Sequence, residues 1–515
     1  MWMRCFNSKA AALVLLWSLC SCISLWSTDA MMHPVYHGLR MKLNDTLLFV
    51  TTSSIPLVVL VISIPLSGWL ADSRFGNFKV FKAGAILMFV GSILVSICTL
   101  AVINQPIKSQ ASLIISATLG PFSNFISFIG GGACLVTVFQ LGLDQMPDAS
   151  SQNIMSYIAW YCITLFFGFW MSNMVCEVLT NCTNYTLTMQ IAGLFPVLCM
   201  CVVLVSLFMF SEKWLIIEPK SSRSLSSIFN ILKFAAKHKS PIHRSALTYW
   251  EEKIPSRIDL AKSRYGGPFT LEQVEDVKII LRLLVAFIPI WITAFGISVY
   301  GSMFLLTNPL HIPELENVST CTNHVFSKFT YNPWWCSVIT VLFFEVGVTP
   351  CLGNRFHLSI LKKLGILLFV LALLSITYSV IGLLHPDTEL SVWAFIVYTA
   401  LSNSSIALVI ECAIEFVCAQ SPYSMRGLMT GFVTFTIIVF LAFGYTLSWA
   451  FTHLCFSRYC AISQYSTGAL LSIVGLLLHL VVIRWYKHRV RDEEYNLHHQ
   501  VEQIYEKYVA HNRSI

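Results

Sequence analysis

The chain has 515 residues, of which 56% are hydrophobic and 11% are charged, and its mean hydropathy is +0.70. A soluble core does not need so many apolar residues, so the composition excludes an ordinary soluble domain and indicates a membrane protein with many spans. The net charge of +7 comes from lysines and arginines in loops between hydrophobic segments, which is typical of the positive-inside bias rather than of nucleic-acid binding.

In chain order, twelve apolar segments are each long enough to cross a hydrocarbon core of about 30 Å. They cover residues 10–26, 51–70, 80–102, 113–140, 154–175, 187–210, 279–306, 334–351, 360–384, 392–417, 428–451 and 467–485. Each is predicted to be a helix, because lipid offers no partner to an unpaired backbone group. The first segment also has the basic start and apolar middle of a cleavable signal peptide. We expect a retained helix, because it completes an even set.

The longest polar run of the chain, residues 212–275, follows the sixth segment and is rich in lysine and arginine. It predicts an N-terminal six-helix bundle (1–212), a cytosolic linker (213–277), a C-terminal six-helix bundle (278–487) and a cytosolic tail (488–515). The predicted fold class is therefore an all-α membrane protein with twelve transmembrane helices in two six-helix bundles.

Two stretches of this linker have helical signatures. Residues 227–239 place four apolar side chains on one face, with lysines between them: Ile228, Ile231, Leu232 and Ala235. The pattern fits either a helix lying on an anionic membrane surface or a helix packed against the protein. Thr270 and Gln273 have capping-box spacing, which predicts a helix that begins outside the membrane and continues into the seventh segment.

Loop composition predicts the sidedness of the chain. Lysines and arginines follow the even-numbered segments, whereas odd-numbered loops carry Asn-x-Ser/Thr sequons at Asn44, Asn181, Asn184 and Asn317. Sequons are glycosylated only on the lumenal side, so both termini are predicted to be cytosolic, in the plasma membrane or an endolysosomal membrane. Three cysteine pairs flank the same loops: Cys176–Cys182, Cys321–Cys336 and Cys455–Cys460. An oxidising face predicts disulfides here, with free thiols as the alternative.

The stretch after the second segment reads Gly68-Trp69-Leu70-Ala71-Asp72-Ser73-Arg74-Phe75-Gly76. A glycine, an acid and a base at a membrane edge indicate a conformational latch. Asp72 would bind the positive N-terminal end of another span, or a basic residue near it, in only one of two states. A solvated turn is the alternative. The stretch resembles the signature loop of the major facilitator superfamily.

Further motifs narrow this resemblance. They are Gly142-Leu143-Asp144-Gln145 followed by Trp160-Tyr161, the run from Gly266 to Lys278, and the run from Glu415 to Arg426. They resemble the Gly-Ala-Asp-Gln and aromatic motifs, the lead into helix seven and the end of helix ten in the proton-dependent oligopeptide transporter (POT/PTR) family. The resemblance implies two bundles around a substrate cavity, alternating access driven by a proton gradient, and short peptides as the usual substrates.

The chain departs from that family where protons and peptides bind. No glutamate precedes Glu177, so the first-helix Glu-x-x-Glu-Arg motif is absent. The family's fourth-helix lysine falls on Leu135, and its tenth-helix glutamate falls on Ile406. Two alternatives to a proton-coupled peptide transporter therefore stay open. One is a carrier of non-peptide solutes without the family's usual coupling, and the other is a transporter-like receptor or scaffold that moves nothing.

Glu345 lies inside the eighth predicted span, and Glu411 lies inside the tenth, one turn before Glu415. A carboxylate in a membrane is costly and predicts a functional site, here proton coupling or substrate binding, with an inter-helix hydrogen bond as the alternative. Weaker candidates are Asn124, in the fourth segment, and Tyr300 and Ser302, which occupy positions that line the cavity in the family. The predicted latch residues are Gly68, Asp72, Arg74, Gly76, Asp144, Glu415 and Arg426.

The spans contain no metal-spaced His/Asp pair and no nucleophile motif, so we expect no enzyme activity, no cofactor and no metal site. The expected partners are a small-molecule substrate, protons and the lipid bilayer, with no nucleic acid. The molecule is expected to be a monomer.

Overall fold

The computed structural model describes residues 9–43, 46–104, 110–146, 151–181, 185–215, 225–238, 255–306, 334–348, 359–384, 392–422, 425–454 and 458–486. Most of these residues are helical. The helices are α1 (Lys9–Leu43), α2 (Thr46–Leu70), α3 (Asn77–Asn104), α4 (Gln110–Asp144), α5 (Ser151–Asn181), α6 (Tyr185–Trp214), α7 (Leu225–Lys237), α8 (Leu271–Leu306), α9 (Trp334–Phe343), α10 (Ile360–Leu384), α11 (Val392–Gln420), α12 (Arg426–Leu454) and α13 (Arg458–Trp485).

Each predicted span coincides with a helix, which confirms the all-α membrane fold. Within the described residues, ten helices are long and apolar enough to cross a membrane. Shorter apolar helices, Val58–Ser73 and Trp335–Val348, occupy the second and eighth positions. The π-helical turns Ala71–Phe75 and Phe344–Val348 extend α2 and α9.

Helices α1–α6 and α8–α13 pack as two bundles with the same pattern of neighbours. In the first bundle, α1 contacts α4, α5 and α6, α4 contacts α2 and α3, and α3 contacts α6. In the second, α8 contacts α11, α12 and α13, α11 contacts α9 and α10, and α10 contacts α13. Shifting every helix by seven positions converts the first pattern into the second, as expected of a repeated bundle.

Each bundle has an apolar core of its own. Fully buried Trp17, Phe81 and Phe128 lie in the first core. Phe287 and Phe416 lie in the second. Large side chains fill both interiors, so each bundle is packed around a core of its own.

The bundles meet along a seam, formed by α2, α4 and α5 on one side and by α9, α11 and α12 on the other. The contacting pairs are α2–α12, α5–α9, α4–α12 and α5–α11. The same seven-helix shift exchanges these pairs among themselves. We call the end of the bundles where α6 ends and α8 begins the linker end.

The linker helix α7 packs on the first turns of α8. Ile231 is fully buried against Val274 and Val277 of α8. Lys233 is exposed on the other side of α7, and the Phe229 side chain beside it is 74% exposed. Of the two predicted roles for this helix, the structure therefore supports packing against the protein for its apolar face.

An ion cluster ties the linker to α8. Lys262 lies 2.7 Å from Asp259 and 2.6 Å from Glu275, and Lys278 contacts the same two carboxylates. Burial raises the pKa of Asp259, but hydrogen bonds from Lys262 and Lys278 outweigh burial and hold that pKa well below its usual value. Burial lowers the pKa of Lys262, but its bonds to Asp259 and Glu275 outweigh burial, and the pKa is raised.

The predicted capping box at the start of α8 is confirmed. The Thr270 N–H donates to Gln273 Oε1 at 3.2 Å, and the Gln273 N–H donates to Thr270 Oγ1 at 3.4 Å. The helix then runs from Leu271 to Leu306 without a break, as predicted. The linker and the second bundle are thus joined by continuous helix.

The predicted disulfide between Cys321 and Cys336 stays a prediction, because Cys321 lies outside the described residues. Cys336 lies in the first turn of α9 and is 9% exposed. The other two pairs also depend on atoms outside the described residues, namely Cys182, Cys455 and the side chains of Cys176 and Cys460. Asn44, Asn184, Asn317 and the side chain of Asn181 also lie outside them.

Candidate functional site

Side-chain hydrogen bonds cross the seam at the linker end. They join Asp72 to the backbone N–H of Leu428 at 2.6 Å, Gln140 to Thr430 at 2.7 Å, and Ser156 to Glu345. Helices α2 and α4 end at this level, and α5 and α12 begin there. The structure is therefore a state in which the path between the bundles is closed on the linker side.

Asp72 is 3% exposed, and its carboxylate lies at the N-terminus of α12. Unpaired N–H groups and the helix dipole favour a negative charge there. The approach is close: a Cβ on Gly68 would lie 2.4 Å from the carbonyl oxygen of Gly427, and a Cβ on Gly427 would lie 2.9 Å from Asp72 Oδ1. The structure thus places two predicted latch residues, Gly68 and Asp72, on the seam.

Other predicted latch residues lie around this contact. Gly76 has φ of 77°, a left-handed value that favours glycine, and it ends the π turn that contains Arg74. The Asn77 side chain at the start of α3 donates to Asp144 Oδ2 at 2.5 Å, so Asp144 ties α4 to α3 within the first bundle. Arg426 is the first residue of α12. The side chain of Arg74 lies outside the described part of the chain.

Glu345, Glu411 and Glu415 come together beside the seam, and we call them the carboxylate cluster. Glu411 and Glu415 are one turn apart on α11, and Glu411 lies within electrostatic range of Glu345, Glu415 and Lys363. Lys363 Nζ is 3.8 Å from Glu415 Oε2. Glu415 is 8% exposed, and its Oε1 accepts no hydrogen bond from the described residues. Several carboxylates near one ammonium group in a membrane setting are suited to binding and releasing a proton.

An apolar layer fills the seam next to this cluster. It includes Phe139, Tyr157 and Cys162 from the first bundle and Val338, Val341, Ile414 and Cys418 from the second. Cys162 is fully buried and Cys418 is 6% exposed. The layer therefore buries two thiols at the seam.

The remaining candidates are not gathered at this site. Asn124 is 1% exposed, about 24 Å along α4 from Gln140 at the helical rise. Tyr300 and Ser302 belong to α8, but their side chains lie outside the described residues. Leu135 and Ile406, which stand where the family has charged ligands, both pack against apolar cores. Those two positions therefore supply packing and no charge.

Sequence reasoning missed several of the seam contacts. Nothing in the sequence marks Ser156 as a contact residue, because serine is common in these helices and its partner Glu345 is 189 residues away. Gln140 and Thr430 are likewise far apart in the chain. A glutamine in an apolar helix is a polar exception that a sequence can flag. Its partner emerges only when the two bundles are placed side by side.

The chain has distant relatives among known proteins, although no family model matches it. It is 20% identical over 495 residues to "Protein NRT1/ PTR FAMILY 5.3" of Arabidopsis thaliana, with 82% of each chain covered. It is 25% identical over 234 residues to "Solute carrier family 15 member 5" of Homo sapiens, which covers 43% of this chain and 37% of that one.

Solved transporter structures share its fold. An auto-inhibited POT family peptide transporter matches with a TM-score of 0.63 at 14% identity, covering 94% of this chain and 98% of its own. The POT family transporter PepTSo matches with a TM-score of 0.63 at 15% identity, covering 93% and 99%. The human organic anion transporter MFSD10 (TETRAN) matches at 0.54 and 13%, covering 92% and 99%. At these identities the likeness establishes the fold, and the proteins that share it are transporters rather than enzymes.

Proposed function

This chain is a divergent member of the proton-dependent oligopeptide transporter (POT/PTR) family of the major facilitator superfamily, and we propose that it is a secondary active transporter of small organic solutes. Proton-coupled uptake of di- and tripeptides is the first activity to test. The bundles would rock about the seam and expose a site between them to each side in turn. The linker and both termini would lie in the cytosol.

The single observation that carries this proposal is the closed linker end beside the carboxylate cluster. Alternating access requires a path that can shut at one end, and coupling requires a group that takes up a proton there. Glu411 is the residue to which we assign the coupling proton, since it lies within electrostatic range of both Glu345 and Glu415. The residue ranges 1–212, 213–277 and 278–487 would act as first bundle, linker and second bundle.

The test is uptake of a labelled dipeptide into liposomes that contain the full-length protein, with and without an inward proton gradient. We expect the gradient to accelerate uptake and Glu411→Gln to abolish its dependence on pH. Glu272→Gln is the matched control, because Glu272 is an exposed carboxylate in the first turn of α8. Unchanged pH dependence in Glu411→Gln would remove that residue from the mechanism.

A carrier of non-peptide solutes is the second candidate, favoured by the apolar packing of Leu135 and Ile406. A thermal-shift screen of di- and tripeptides, nitrate and small organic acids at two pH values separates the candidates. Stabilisation and uptake of an organic acid, with neither for peptides, would support the second. Stabilisation by a peptide without uptake of any peptide would indicate a receptor.

A further inference from the structure

We propose that the hydrogen bond from Ser156 to Glu345 keeps the linker end closed, and that a proton arriving on Glu345 weakens this bond and lets the end open. The inference rests on the proposed function, because it assigns the step at which proton uptake becomes opening. It adds a positioning residue, Ser156, that belongs to the first bundle and has no charge of its own.

The geometry distinguishes this contact from the others that cross the seam. It joins two side chains, Ser156 Oγ and Glu345 Oε1, that belong to opposite bundles. Both residues are partly exposed, so a proton can reach the bond. Asp72 is 3% exposed against a backbone N–H, and the bond from Gln140 to Thr430 is between neutral groups. Ser156–Glu345 is therefore the accessible, charge-assisted member of the set.

The charged groups around Glu345 lie on α11, which packs against α9, and on α10, which packs against α11. Helix α11 contributes Glu411, and beyond it Glu415; Lys363 of α10 faces both of these. Helix α5 contributes Ser156 and the ionisable groups of the apolar layer, Tyr157, Tyr161 and Cys162, which are neutral at physiological pH. Glu345 thus lies near two further carboxylates and one ammonium group, and Glu411 can pass it a proton.

The sign of the effect follows from the hydrogen bond. An ionised Glu345 accepts from the Ser156 hydroxyl in a charge-assisted bond, which is roughly twice as strong as a bond between neutral groups. A proton that moves from Glu411 to Glu345 leaves Glu411 ionised and makes the seam bond neutral. The closed end is therefore held less firmly when Glu345 carries a proton. Acidification replaces the proton that Glu411 has given up, so the cluster gains one proton overall and the linker end opens.

The test uses the buried thiols of the seam as reporters in the full-length protein in lipid nanodiscs. N-ethylmaleimide modification of Cys162 and Cys418 is followed residue by residue by mass spectrometry. Each rate is divided by that of Cys98, a fully buried thiol on α3. We expect Ser156→Ala to raise both normalised rates about tenfold at pH 7.5, the shift produced by losing one hydrogen bond to a charged group.

The pH response is the second readout. In the unmodified protein the normalised rates should rise between pH 7.5 and pH 5.5, and in Glu345→Gln they should be independent of pH. Ser156→Thr keeps the hydroxyl and should restore slow modification. Ser404→Ala is the matched control, because Ser404 bonds Thr340 of α9 at 2.8 Å within one bundle. It should leave both rates unchanged.

Two results would overturn the inference. One is equal rates in Ser156→Ala and Ser404→Ala, and the other is a pH response that survives in Glu345→Gln. Uptake measured on the same preparations separates this failure from failure of the proposed function. Proton-driven uptake, with thiol modification rates that Ser156→Ala leaves unchanged, would contradict only the role of the Ser156–Glu345 bond. Modification rates that change as expected, without uptake of any solute, would contradict only the transport proposal.

Discussion

The two bundles approach each other closely at two glycines, Gly68 and Gly427. In Gly68→Ala the new Cβ would lie 2.4 Å from the backbone oxygen of Gly427, which cannot rotate away. We expect the closed state to lose about 1–3 kcal/mol, the usual cost of overpacking. The measurement is amide hydrogen exchange at the end of α2 and the start of α12, which should become faster.

Gly347→Ala is the control for this substitution. Gly347 also lies at the linker end of a seam helix, but its nearest neighbours are ring atoms of Phe343 at 3.7 Å, which is ordinary contact. Exchange in this variant should match that of the unmodified protein. Equal exchange in the two alanine variants would show that the Gly68–Gly427 approach does not limit closure.

At this scale the sequence could predict a functional residue only where its charge differs from its apolar neighbours. Asp72, Glu345 and Glu411 stand out because each is a charge in an apolar run, and all three lie beside the seam. Ser156 does not stand out, since a hydroxyl is easily satisfied within its own helix. Only the placement of α5 against α9 reveals its partner. Charges in a membrane protein can thus be located from one sequence, whereas neutral partners cannot.

At the scale of elements, hydrophobic runs predicted the helices because every backbone group in lipid must be bonded within its own segment. The same rule does not predict where helical geometry changes. Ser73, with φ of −80° and ψ of −111°, interrupts the π turn after α2, and nothing in its hydrophobicity indicates this. The role of α7 was also undecided by pattern alone, because an apolar face suits both lipid and protein.

The docked linker yields a prediction with a defined pH window. The pKa of Asp259 is lowered, so its contribution is present above its ordinary value of about 4 and is lost as pH falls through the lower native value. The pKa of Lys262 is raised, so its contribution is present below about 10.5 and is lost as pH rises through the higher native value. Neither contribution changes between about pH 5 and pH 9.

We therefore expect hydrogen exchange in α7, corrected for its intrinsic pH dependence, to stay constant across that window, while exchange at the seam changes. Asp259→Asn should lose protection of α7 throughout that window, because it leaves Lys262 and Lys278 with one carboxylate fewer. Protection of α7 that follows the pH response of α5 and α9 would mean that linker docking and seam closure are one equilibrium.

At the scale of the whole molecule, the repeat of neighbours explains why the seam contacts come in exchangeable pairs. Contact α2–α12 becomes α9–α5 under the seven-helix shift, so each bundle offers the other the same two surfaces. Two matched sets of spans were predictable from twelve apolar runs with a polar run between them. The sequence could not predict which end of the seam is closed, because closure depends on a balance of weak contacts between the two bundles.

The final prediction follows from the separate cores of those bodies. A protease site inserted after Ser221 lies between α6 and α7, so cleavage would leave the linker attached to the second bundle through the α7–α8 packing and the ion cluster. We expect the two fragments to co-purify after cleavage through a tag on one of them. Seam packing and the bonds from Asp72 and Gln140 would hold them together without a covalent tether. Gly68→Ala should weaken this association and Gly347→Ala should not. Fragments that separate even without substitution would mean that the tether, rather than the seam, keeps the bundles in register.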